Sequence, residues 1–375
     1  MSSADASQLL KPPMGRGDWK GPIIDADVHA VVPSIEALYP YLDPVWHQYI
    51  DERKWPGPSP ALSYPPNLPA GARPEWRPDD GTVPASKLEL LQEHVLDRSD
   101  VEIAILNCVY PIDGGHPDVS KALARAVNDW LTVEWLDRDP RLRASMVLPG
   151  RNDPAEMIAE IDRLGGHPGF VQVMLPVRSG QMYGNRLYWP LFEAIIRHDL
   201  VAGIHWGGSN NGLPPTPSGW PSYFIEEYVS EIQVFESQLM NLIAEGIFQK
   251  FPTLRISMLE IGFTWVPMWM WDIDRNWKGM RREVPWLTRP PFEDVREQVR
   301  FSVSPLDVDS AAELKPVIEW LGSDEMLLYA TDYPHAHDDD LSVLLEAMPE
   351  EARPRVMSEN AREWYRLGEG GGKGE

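Results

Sequence analysis

One cysteine, Cys108, occurs in 375 residues. No intrachain disulfide can form and a cysteine-built zinc site is excluded, so a reducing cytoplasm is the expected compartment. No run of about 18 apolar residues occurs either, which leaves no candidate for a membrane-spanning helix. The opening stretch MSSADASQLLKPPMGRGDWK lacks an apolar segment and reads as neither signal peptide nor anchor. Basic residues are scarce beside acidic ones, 34 against 57, and the formal net charge is −23. A field of that sign repels nucleic-acid phosphates and anionic lipid, so neither is an expected partner. No glycine-rich phosphate turn follows the first apolar run, which argues against a dinucleotide-binding open sheet.

What is present is a regular alternation. Short apolar runs at 22–27, 101–107, 142–148, 169–175, 200–205, 254–260, 299–304 and 326–331 are rich in Ile, Val, Leu and Met. Each is the length of a strand buried on both faces. Between them lie amphipathic patterns over 86–99, 118–139, 153–165, 186–198, 310–322 and 341–349, several opening on Asp or Ser and closing on Gly. Eight strands alternating with helices predict an α/β fold, a (β/α)8 TIM barrel, with insertions after strands 1 and 5. The first insertion, 33–85, is proline-dense from Pro56 to Pro84; the second, 206–245, opens GGSNNGLPPTPSGWP and runs into a helix around 222–245. Both leave from strand carboxyl ends, where barrel active sites are built, and are candidate lids. The expected organisation is an arm over 1–21, one barrel domain over 22–366 and a disordered tail over 367–375.

Polar residues close several of these strands. The first ends IIDADVHA, and the two-residue spacing of Asp27 and His29 points both side chains the same way. The fifth ends at His205, before two glycines and a tryptophan; the sixth ends at Glu260, directly after SML. A carboxylate there is costly to bury unless it is paired or holds a metal. The eighth runs LLYATDYPHAHDDD, placing Asp332 at its end and His335 three residues on. His337 and Asp338 to Asp340 read as caps of the next helix.

The D-x-H that ends strand 1, the histidine that ends strand 5 and the TDYPH that ends strand 8 resemble the amidohydrolase-related family. The likeness runs over 22–366 and includes GNRLYWPLFEA, FPTLRISMLE and NAREWYRL; it is nearest to the aminocarboxymuconate-semialdehyde decarboxylase branch. The resemblance implies a distorted barrel with a divalent metal at its mouth. It also implies hydrolysis of C–N, C–O or C–S bonds, or decarboxylation without oxidation. Two positions depart from the pattern. Asp27 stands where the first histidine of H-x-H is usual, and Glu260 where the decarboxylases use a catalytic histidine.

Asp27, His29, His205, Glu260, Asp332 and His335 together offer three carboxylates and three imidazoles, enough donors for two divalent ions. Mixed carboxylate and imidazole donors suit non-haem iron, with zinc and manganese as alternatives. The set also resembles a small group of barrels assigned as dinuclear iron oxygenases. The sequence reading therefore favours a dinuclear iron monooxygenase of a bulky apolar small molecule, with Asp332 and Glu260 in catalytic roles. A metal-dependent hydrolase is the alternative, and a decarboxylase ranks below it. The basic cluster Arg275, Lys278, Arg281, Arg282 and Arg289 raises an acyl-CoA substrate, although a solvated helix face accounts for it more simply. A homodimer is expected, as is common in this family.

Overall fold

Strands buried on both faces must pair every backbone N–H and C=O with a neighbour, and a closed parallel sheet does this without leaving an edge. The computed structural model, which describes residues 17–54, 71–109, 116–150, 153–208 and 214–368, has this arrangement. Its strands are β1 (Ile24–Val28), β2 (Ile103–Leu106), β3 (Leu142–Val147), β4 (Phe170–Arg178), β5 (Val201–Gly208), β6 (Ile256–Leu259), β7 (Val299–Ser302) and β8 (Leu327–Leu328). They lie side by side in chain order, and every neighbouring pair is parallel. This is the (β/α)8 TIM barrel.

The two ends of the sheet meet through the segment that continues β8. Ala26 N–H donates to the Tyr329 carbonyl at 2.9 Å, Asp332 N–H to the Asp27 carbonyl at 3.0 Å, and His29 N–H to the Tyr333 carbonyl at 2.8 Å. Three of the candidate site residues, Asp27, His29 and Asp332, thus also join the barrel. Registry aligns others: His205 of β5 pairs with Leu259 of β6, the residue before Glu260.

Helices fill the outside in the order the amphipathic patterns foretell. Pro117–Leu131, Pro154–Leu164, Trp189–Arg197, Phe224–Ala244, Ala311–Leu321 and Leu341–Ala347 all form. Asp153, Ser310 and Asp340 cap three of them by accepting hydrogen bonds from first-turn N–H groups. The helices Pro44–Arg53 and Pro291–Gln298 were not foreseen. The first buries only Ile50 and so shows no apolar stripe. The second packs beside the helix Val266–Met280.

Each insertion is fastened at the mouth. The first returns over the end of β8, where Ala72 bridges to His335 and Arg73 N–H donates to the Pro334 carbonyl at 2.9 Å. The second delivers the helix Phe224–Ala244, tied to the end of β4 by an ion pair between Glu231 and Arg178 and by Gln238 Nε2 donating to the Val177 carbonyl at 2.7 Å. The arm expected over 1–21 and the tail over 367–375 fall mostly outside the described residues, as do 55–70 and 209–213 of the insertions. Among the described residues no helix is long and apolar enough to cross a membrane.

The turn out of β6 depends on a glycine. Gly262 has φ +61°, and a Cβ there would meet the Pro305 carbonyl oxygen at 2.2 Å. Gly262→Ala is expected to cost at least about 1–3 kcal/mol; an unchanged denaturant midpoint would show that the turn relaxes freely.

Candidate metal centre

Each strand end contributes one or two of the polar residues marked in the sequence, and the barrel brings all six together. Asp27, His205 and Asp332 are fully buried, His29 and Glu260 nearly so, and His335 is half-buried. Asp332 is the hub. His29 Nε2 lies 2.8 Å from its Oδ1, and His335 Nδ1 lies 2.8 Å from its Oδ2. Glu260 Oε1 is 3.3 Å from His335 Nδ1, and its Oε2 is 3.5 Å from His205 Nδ1. His205 Nε2 stands 3.3 Å from Asp27 Oδ1. Asp332 and Glu260 both sit in the left-handed backbone region, with φ of 53° and 56°. Non-glycine residues are uncommon there, glutamate more so than aspartate, and such backbone concentrates at functional sites.

The donors group into two overlapping sets. One is Asp27, His29, His205 and Asp332; the other is His29, Glu260, Asp332 and His335, and within each set the ligand atoms lie within 4.8 Å of one another. Three features fit them to a divalent cation. Asp27 Oδ2 is buried with no hydrogen-bond donor, and Glu260 Oε1 has none either. His205 Nδ1 faces the Trp206 carbonyl at 2.8 Å and so carries the ring hydrogen there. In the neutral ring the lone pair of its Nε2 then points at the Asp27 carboxylate, an approach of two acceptors that either a cation or a proton on Nε2 must reconcile. Finally, three carboxylates buried together require positive charge.

Without a metal, protons have to supply that charge. Burial alone would lower the His205 pKa; the charge of Asp27, its hydrogen bond and the charge of Glu260 outweigh burial and push it up to about 9. His335 and His337 are also raised, against burial, by Asp332 and Glu260. Burial would raise the Asp332 carboxyl, but the charge of His335 and hydrogen bonds from three histidines hold it well below the usual range.

Several participants were not recognised in the sequence. His337, read there as a helix cap, lies with Nε2 2.6 Å from Asp332 Oδ2; only Asp340 of that run caps the helix. Asp339 instead accepts from Ser304 Oγ at 2.6 Å and from the Leu306 N–H at 2.9 Å. Asn107, the polar residue closing β2, donates from Nδ2 to Asp27 Oδ1 at 2.8 Å. It carries the same signal that drew attention to His205, a polar residue at the end of an apolar run. Buried Asp25 accepts from Thr331 Oγ1 at 2.6 Å and clamps the chain entering Asp332. Tyr228, on the helix Phe224–Ala244, faces this acidic centre: burial first, and then the charges of Glu260 and Asp332, raise its phenol well above 10.

Fold and centre together define the class, an α/β barrel with a buried carboxylate and histidine cluster at its mouth that fits a divalent metal. The chain belongs to the amidohydrolase family, whose model matches residues 24–367. Among solved structures it is similar to 5-carboxyvanillate decarboxylase from Sphingomonas paucimobilis, with 21% identity, 92% of this chain and 99% of that one covered, and a TM-score of 0.64. It is similar to dihydroxybenzoic acid decarboxylase from Polaromonas sp. JS666 with bound manganese and 2-nitroresorcinol, with 20% identity, 94% and 99% coverage and a TM-score of 0.65. The 5-carboxyvanillate decarboxylase from Novosphingobium aromaticivorans DSM 12444, in complex with manganese and 4-hydroxy-3-methoxy-5-nitrobenzoic acid, aligns at 17% identity over 98% of this chain and 100% of that one, with a TM-score of 0.69. At these identities the likeness establishes the fold.

These comparisons correct the sequence reading. The donor types favour a dinuclear iron monooxygenase, yet these three barrels that share the fold are decarboxylases, two of them with manganese. The physical reason is that carboxylate and imidazole donors serve manganese as well as iron, so ligand type does not single out oxygen chemistry.

The protonated histidines set a pH dependence for the chelator-treated protein. A histidine whose folded pKa is raised contributes stability that is fully present below its unfolded pKa, near 6.5, and lost as pH rises through about 9. The melting temperature of metal-free protein is expected to fall between those values. A flat or rising profile would mean that these imidazoles are neutral in the fold.

Proposed function

We propose that the chain is a divalent-metal-dependent enzyme that removes CO2 from a small aromatic carboxylate without oxidation. The observation that carries this reading is the buried set Asp27, His29, His205 and Asp332 at the mouth of the barrel. The likeness of the whole barrel to decarboxylases supports it. In this reading these residues hold one ion, and His29, Glu260, Asp332 and His335 offer the place for a second. Manganese is proposed in place of iron, with zinc as the alternative. The metal supplies positive charge that draws the substrate's oxygens to the mouth and stabilises negative charge developing as the carbon–carbon bond breaks.

The protein's own groups orient the substrate and manage one proton. As CO2 leaves, its bonding pair stays on the ring carbon, which then takes up a proton. Glu260 is proposed to hold that proton at Oε1, the oxygen that has no hydrogen-bond donor. Trp206, Tyr228 and Phe224, whose rings lie 6.0–6.4 Å apart in sequence of contact, are proposed as the aromatic wall beside the mouth. An acyl-CoA substrate is not part of this reading. Arg289 of the basic cluster is already paired with Asp294 and Glu297. Pairing of two chains is kept as a proposal, tested by sedimentation, and a species of one chain's mass alone would overturn it.

Hydrolysis of an amide or ester is the second reading, and Glu260 itself favours it. A carboxylate with an unengaged oxygen is suited to taking a proton from water. The test is a panel of hydroxylated benzoates beside phenyl esters and anilides, run with chelated and manganese-loaded protein. Release of CO2 from a benzoate only when loaded supports decarboxylation; ester or anilide cleavage without CO2 replaces it with hydrolysis.

His29→Ala and Glu260→Ala are expected to keep the fold and lose turnover by more than the roughly 10–100-fold typical for partners outside the ligand set. His29→Ala should also lose metal in elemental analysis. Full metal content in His29→Ala would remove that residue from the centre.

A further inference from the structure

Inside the barrel, below the metal centre, lies a set of polar side chains that the proposed chemistry does not use. Asn107, Ser145, Gln172 and Ser257 are fully buried and Tyr365 almost so. They come from β2, β3, β4, β6 and the segment after the C-terminal helix Asn360–Trp364. Their donors and acceptors form one directed chain. Trp364 Nε1–H donates to Ser257 Oγ at 3.1 Å, and Ser257 Oγ lies 3.1 Å from the Tyr365 hydroxyl. Tyr365 donates to Gln172 Oε1 at 3.1 Å, so the Ser257 hydroxyl is the donor in the contact between them. Gln172 Nε2 donates to Ser145 Oγ at 2.6 Å, and Ser145 donates to Asn107 Oδ1 at 2.5 Å. Gln172 Nε2 also reaches Asn107 Oδ1 at 3.2 Å. The last link is Asn107 Nδ2 donating to Asp27 Oδ1 at 2.8 Å.

The direction of the chain is forced. Indole N–H only donates and carboxylate only accepts, so with those two ends in place every group between them has one orientation. Asn107 Oδ1 is held by Ser145 and Gln172, which turns its NH2 towards Asp27. Asp27 Oδ1 thereby accepts from Asn107, which fixes how the carboxylate is turned towards His205 Nε2 at 3.3 Å, while Oδ2 has no donor. The room for this comes from Gly203 of β5, where a Cβ would fall 2.4 Å from Gln172 Cδ. At its far end Trp364 and Tyr365 pack with Ile24, Ile103, Val171 and Val201 near the strand starts, opposite the mouth.

We propose that Asn107, Gln172 and Tyr365 are positioning residues for the metal centre, through which the C-terminal segment sets the orientation of the Asp27 carboxylate. The proposal rests on the functional reading only in taking Asp27 as a ligand. Partners of this kind usually cost about 10–100-fold in metal affinity when removed.

The test is a titration of chelator-treated protein with Mn2+ by calorimetry, with the visible spectrum of the Co2+-loaded protein and the melting temperature of the metal-free protein recorded alongside. Asn107→Leu is expected to weaken Mn2+ binding by about 10–100-fold, Tyr365→Phe by a factor near the lower bound of that range, and Ser257→Ala by less again. The Co2+ band should shift in the first two. A purely structural network predicts another pattern, lower melting temperatures with parental Mn2+ affinity and an unshifted Co2+ band, and that pattern overturns the proposal. If Asn107→Leu does not fold, Tyr365→Phe, which keeps the ring, decides by the same readouts. Failure of the parent protein to bind Mn2+ or Co2+ would overturn the metal reading itself, whereas parental binding in every folded variant overturns only the positioning role.

Discussion

Three carboxylates sit within a few ångströms of one another at the mouth of this barrel, almost entirely out of water. The field they create governs the surrounding structure. Each buried charge carries a large desolvation penalty, and like charges so close repel. Positive charge must therefore be present, as imidazolium in the metal-free protein and as a divalent cation when one is bound. Four histidines lie within reach of Asp332 or Asp27 for the same reason. The left-handed backbone at Glu260 and Asp332, and the joining of the sheet through Asp27 and Asp332 main-chain groups, lie where that charge balance is decided.

The same centre separates what donor chemistry selects from what it leaves open. Carboxylate oxygens and imidazole nitrogens around a buried hub select a divalent cation and exclude thiolate chemistry. They do not select between breaking a carbon–carbon bond, splitting an ester and activating dioxygen, because the cation offers its charge to each. The carboxylate-rich composition of the set therefore fits a divalent metal but does not carry the step to an oxygenase, which the comparisons contradict. The reaction depends on what the mouth admits and where a proton is held, the roles proposed for the aromatic wall of Trp206 and Tyr228 and for Glu260.

Barrel interiors are usually packed with branched apolar side chains in layers. Here amide and hydroxyl groups occupy part of that volume, with Gly203 leaving space for the Gln172 amide. A polar interior is costly unless every group is paired, and a fully paired one is rigid and has a direction. The hydrogen-bonded chain from Trp364 to Asp27 is of that kind. It makes the last described turn of the protein part of the environment of the first strand, a link between residues more than three hundred positions apart.

Local pattern was enough for much of this protein. The strand runs, most helices and the six polar strand ends were legible because burial on both faces imposes continuous apolar runs and because a polar residue at the end of such a run stands out. The likeness of D-x-H, His205 and TDYPH to the amidohydrolase-related family was legible for the same reason. Other features were decided only in three dimensions. His337 resembled a helix cap until the turn after Tyr333 brought it onto Asp332. Asn107 and Gln172 looked like ordinary strand polarity until closure of the barrel aimed their amides inward, and Tyr365 stood in the NAREWYRL segment with no role beyond its family likeness. The sequence by itself determined which residue types the strand ends would present, since that follows from period and hydrophobicity. Only the tertiary structure decided which of them share one charge balance, since that depends on registry, closure and the direction of hydrogen bonds across distant segments.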